Sequence, residues 1–126
     1  MAIHSCSGEC NGPIDLTGYL AKYNELLSNI STVFTNTLVN VVTTMDLSNV
    51  ARVQRADWFC KLEHEILHEC GCIDKGNDQQ LKQLDDNIHA MNNASHIMVQ
   101  QWQQKMVAQG RTDIAFVVQG CVSECA

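Results

Sequence analysis

Proline is nearly missing from this chain: Pro13 is its single one among 126 residues. Proline breaks helices from inside, so its scarcity leaves long helices open. Basic residues are also few. Eight Lys and Arg stand against fourteen Asp and Glu, for a net charge of −6. They are scattered, which excludes a phosphate-binding patch and so argues against nucleic acid as a partner. Residues 1–10 contain no basic region followed by an apolar run, so no secretory signal is visible. The longest charge-free stretches are rich in Asn, Thr, Ser and Gln, and none reads as a membrane span. The default expectation is a cytoplasmic protein.

What remains is the composition of a globular protein. Hydrophobic residues make up 45% of the chain, enough to bury a core, and its length is that of one domain covering residues 1–126. From Ile14 onward, Leu16, Tyr19, Leu20, Tyr23, Leu26, Leu27, Ile30, Val33, Phe34, Leu38, Val41, Val42 and Met45 recur in steps of three and four, which is helical spacing. The stretch Ser31 to Thr44 is β-branched and compatible with a strand, but the unbroken rhythm predicts helix. A second helix is expected from Asp46 to Cys70, with Leu47, Ala51, Trp58, Leu62 and Ile66 on one face. A third is expected from an Asp78 cap to Gly110, through Leu81, Leu84, Ile88, Met91, Met98, Trp102 and Met106, with Ser95 in the apolar seam. Thr112 or Asp113 could cap a short last helix carrying Ile114, Phe116, Val117 and Val118. The expected fold is therefore all-α: a bundle of three long helices plus a short C-terminal one, with adjacent termini.

Charge is unevenly placed. No Asp, Glu, Lys or Arg occurs from Leu26 to Met45 or from Asn87 to Gln104, whereas 14 of the 22 charged residues lie between Asp46 and Asp86. A helix exposed on one side normally carries charge there. The neutral stretches predict either a buried hairpin or a homo-oligomer or partner interface that shields them.

Seven cysteines are present. Cys6 and Cys10 form one Cys-x-x-x-Cys, Cys121 and Cys125 another. On a helix this spacing puts both sulfurs on one side. The two pairs could join as disulfides or hold a metal through four thiolates. A reducing compartment favours thiolates and metal, whereas an oxidising one, and hence secretion, favours disulfides. This arrangement is similar to that of helical-bundle copper-storage proteins, and the resemblance implies Cu(I) as one candidate metal.

The sequence His64-Glu65-Ile66-Leu67-His68 is a literal H-E-x-x-H, continuing to Gly71 and Asp74. Two histidines one helical turn apart can grip one zinc ion. The motif resembles the zinc-metallopeptidase signature, which implies Glu65 as the base that activates metal-bound water and Asp74 as third ligand. Cys60, Cys70 and Cys72 are alternative ligands. No strand is expected ahead of the motif to hold a substrate. Taking Leu62 as the core direction, His64 and His68 also point roughly 160° and 120° away from it. The residues therefore favour a non-catalytic metal-binding bundle using Cys and His. A disulfide-stapled interaction or assembly module is the alternative, and a small zinc hydrolase the third reading. A di-iron site built on Glu65-x-x-His68, Asp86-x-x-His89 and Glu25 lacks a further inward glutamate.

Overall fold

The computed structural model describes residues 13–44 and 77–120. Within them the elements run α1 (Leu16–Val33), β1 (Thr37–Val42), α2 (Asp78–Ala108) and β2 (Ile114–Gln119). The chain divides into two units, one of Met1–Ile14 with Asp46–His89, the other of Asp15–Met45 with Ala90–Ala126.

The described fold is mixed, which corrects the expectation of an all-α bundle of three long helices and a short fourth. Two segments expected as helix are strands. The first helix stops at Val33 rather than running to Met45. Phe34 is already extended, and Asn36 adopts a left-handed φ of 52°. Asparagine tolerates that conformation better than most residues, and it turns the chain out of the helix. The last segment, Ile114–Gln119, is β2 instead of a helix. It pairs with β1 in parallel, from Thr37 opposite Ile114 to Val42 opposite Gln119. Both strands are β-branched or aromatic at most positions, which suits a pleated surface. The expected helix from Asp46 to Cys70 and the meeting of the termini lie outside the described residues.

Each helix end has a local cause. Asp15 caps α1 by accepting from the Gly18 amide at 3.0 Å. A Cβ at position 18 would strike that carboxylate, so glycine leaves it room. Asn77, rather than Asp78, caps α2. Its side chain accepts from the Gln80 amide while Gln80 accepts from the Asn77 amide, both at 2.9 Å. This reciprocal pair satisfies two amides that a helix start leaves open. At the other end Gly110 takes a φ of 69°. Its amide bonds Val107 O while the Arg111 amide bonds Met106 O, each at 3.0 Å. That is a Schellman ending, and it needs a residue that enters left-handed space freely.

In the first unit, Leu81, Leu84 and Ile88 are buried along one stripe of α2. Asn87 is buried beside them, and its side-chain oxygen accepts from the Ile14 amide at 3.3 Å and from Gln83 at 3.2 Å. In the second unit, Leu27 of α1, Val41 of β1, Ile114 and Phe116 of β2, and Met98, Val99, Trp102 and Met106 of α2 form one cluster. Leu20, Tyr23, Ile30, Val39 and Val118 pack around it. Ser95, the polar residue in the apolar seam, is buried because the Tyr19 hydroxyl shares a 3.0 Å hydrogen bond with it.

Candidate functional site

The residues expected to bind metal or form disulfides fall outside the described residues. These are His64, Glu65, His68 and Asp74, and the cysteines Cys6, Cys10, Cys60, Cys70, Cys72, Cys121 and Cys125. Among the described residues no three His, Cys, Asp or Glu side chains gather into a metal-holding group. Of the di-iron candidates, Glu25, Asp86 and His89 are exposed, and Asp86 is held by Lys82 at 2.8 Å. No described helix is long and apolar enough to cross a membrane.

A different feature stands out in the second unit. Strand residues alternate faces, so β1 turns Val39 and Val41 to the core and Leu38, Asn40 and Val42 outward. The register sets Leu38 beside Ala115, Asn40 beside Val117 and Val42 beside Gln119 on this outer face. Leu38 is 65% exposed, Val42 57% and Val117 42%. Just before the strand, Val33 and Phe34 are 72% and 51% exposed. The face carries no charge. Its polar groups, Asn40 and Gln119, are bonded to one another at 2.9 Å.

Single exposed apolar residues are ordinary, whereas contiguous ones mark contact surfaces. Parallel sheets in particular are nearly always covered on both faces. Here the inner face is covered by Met98, Val99, Trp102 and Met106.

The face is held in place by polar contacts from α2 and the turn after it. Asn92 clamps the chain leaving β1: its side chain accepts from the Thr44 amide at 3.0 Å and donates to the Thr44 carbonyl at 2.8 Å. Arg111 secures the chain entering β1. It donates to Ser31 O at 3.0 Å and Phe34 O at 3.4 Å, and grips both Asp113 oxygens at 2.6 and 2.8 Å. The last turn of α1 has no basic residue of its own, so this guanidinium supplies the cation that its carbonyls favour.

The Arg111–Asp113 pair predicts a pH dependence. Hydrogen bonding to Arg111 holds the Asp113 carboxyl below its ordinary value. A lowered folded-state value contributes stability above the unfolded value of about 3.9, and loses it as pH falls through the folded value. Asp113→Asn should therefore melt at a lower temperature than the parent protein at neutral pH. The gap should close in strong acid, where the parent carboxyl is protonated too. Thermal melts across that range check this, and a gap independent of pH would contradict it. The effect is expected to be small, because the pair is 32% and 28% exposed and water screens it.

Compared with protein-family models, curated proteins and solved structures, the chain shows no match.

Proposed function

We infer that this chain is a protein-interaction and assembly module, and that the outer face of the β1–β2 sheet is its contact surface. One observation carries the reading: a parallel sheet whose outward side chains, Leu38, Val42 and Val117, are apolar, uncharged and exposed. The charge-free run 26–45 supports it, since its exposed members include Leu26, Val33, Phe34, Leu38 and Val42. Covering such residues removes apolar area from water at about 25 cal/mol per Å². That gain is the driving force for association.

The test is sedimentation velocity over micromolar to millimolar concentrations, on the parent protein and on a Leu38→Glu/Val42→Glu variant. The parent should sediment faster as concentration rises. The variant should stay slow at every concentration with its circular dichroism unchanged, because both side chains point outward. Equal sedimentation of the two proteins would remove this face from the account.

Metal binding through His64, His68 and the cysteines is a separate proposal resting on sequence spacing. Metal analysis of protein purified without chelator, with a free-thiol count, decides it; metal-free protein with all thiols unreactive toward added zinc would end it.

A further inference from the structure

Among the described residues the same sheet has an open edge, and the edge is more specific than the face. In a parallel pair each strand directs its amide and carbonyl groups alternately toward its neighbour and away. Thr37 donates to Asp113 O at 2.9 Å and Thr43 donates to Gln119 O at 3.0 Å. Odd-numbered residues of β1 therefore face β2. Leu38, Asn40 and Val42 send their backbone groups the other way, and these groups bond to none of the described residues. The edge ends at Thr44, whose outward amide and carbonyl are both occupied by the Asn92 side chain. The far edge of β2 is obstructed, since the Phe116 amide donates to Gln103 Oε1 at 2.7 Å. Proteins usually guard an open edge with Lys, Pro, a bulge or an inward charge. The run Thr-Leu-Val-Asn-Val-Val has no Lys, Pro or charge.

We propose that a second copy of this chain adds its own β1 to this edge, antiparallel, about a two-fold axis at Asn40. The result is one sheet in the order β2–β1–β1–β2. This rests on the interaction reading above, names its partner, and places the contact at the strand edge, where Leu38 and Val42 of the two copies meet across the seam, with the outer face left uncovered. Three observations favour a second copy. First, the register is self-complementary. With Asn40 facing Asn40 of the other copy, Leu38 of each chain lies opposite Val42 of the other. All three outward residues then exchange both backbone hydrogen bonds, as antiparallel pairs do. Second, two copies carrying −6 each repel in general, but charge is missing from the whole run 26–45 that surrounds the edge. Like can meet like there without a local penalty. Third, one edge is open and the other obstructed, so a two-fold pairing uses up the open edge and assembly stops at two. A six-residue edge buries less than the roughly 1,200–2,000 Å² of a stable interface, so the dimer forms and dissociates with concentration.

The experiment is residue-resolved amide hydrogen exchange on the full chain, dilute and concentrated, paired with sedimentation of an Asn40→Pro variant. The amides of Leu38, Asn40 and Val42 should exchange at least tenfold more slowly in the concentrated sample. Those of Val39 and Val41, already bonded within the sheet, should change far less. Asn40→Pro removes an outward amide and leaves the β1–β2 ladder whole, so it should stay folded and monomeric. Unprotected Leu38, Asn40 and Val42 in a sample that does associate would overturn the edge pairing. Association that survives Asn40→Pro but is lost in Leu38→Glu/Val42→Glu would do the same while keeping the face as contact surface. A parent protein that never associates would overturn both. Should Asn40→Pro fail to fold, the exchange pattern of the parent decides alone.

Discussion

Replacing Trp102 with Ala should lower the unfolding free energy by about 3–5 kcal/mol, in the range for truncating a buried aromatic. Trp102 is 7% exposed and sits in the middle of the second unit's core. Its ring lies 5.8 Å from that of Phe116, tilted by 40°. The Lys105 ammonium stands 4.0 Å above its centre. Its indole N–H donates to Asn24 Oδ1 at 2.9 Å, tying α2 to α1. The truncation removes all four contributions and leaves a cavity against β2. Domains of this size are stable by about 5–15 kcal/mol in total, so the variant should sit near its unfolding threshold. Trp102→Phe keeps a ring and loses the N–H, and should cost about 1–2 kcal/mol. Urea denaturation measures both. A loss below about 1 kcal/mol for Trp102→Ala would mean that the helix–sheet core is not where the unit's stability lies.

Val41→Pro should cost about 3 kcal/mol, the combined loss of a ladder hydrogen bond and a buried valine. Val41 is a core residue and odd-numbered, so its amide points at β2. Proline at position 40, one residue earlier, should cost under about 1 kcal/mol, because the amide it removes points away from the sheet. Adjacent positions thus differ by the alternation of the strand alone. Melting the two variants side by side tests the orientation of β1 directly. A larger loss at position 40 than at 41 would mean that the strand is turned the other way, and the open edge would vanish with it; equal losses would contradict the alternation itself.

The contrast between α2 and β1 shows what the sequence could reveal. The helix Asp78–Ala108 is long, and its buried Leu81, Leu84, Ile88, Met98, Trp102 and Met106 mark one stripe over many turns. Such a pattern has a single periodicity. β1 is six residues, and its apolar positions fit steps of two through Thr37, Val39 and Val41 as well as steps of three and four through Leu38, Val41 and Val42. The same ambiguity affects Ile114, Phe116 and Val118 of β2. Short apolar runs are decided by the partner they pair with, and here the two strands lie more than seventy residues apart, at Thr37 and Ile114. Nothing local to either strand announces the other.

The exposed apolar face proposed as the contact surface was legible in part. Absence of charge over 26–45 marked the region, and the structure gives that neutrality a physical form in the outward Leu38 and Val42. The edge itself was missed because it is made of backbone. A β-branched run without Lys, Pro or charge is the available signal, and it becomes readable only once the run is known to be a strand. Ser95 and Asn92 were equally opaque. Each looks like a polar interruption until Tyr19 and Thr44 are placed beside it.

The most direct test of the central claim is the forward X-ray scattering of the full chain, normalised by concentration and followed as concentration rises. Association through the β1–β2 sheet predicts an apparent mass that climbs from the 14.0 kDa of one chain and levels off at twice that value, with no larger species. A mass that stays at one chain throughout would contradict the account, and so would one that grows without limit.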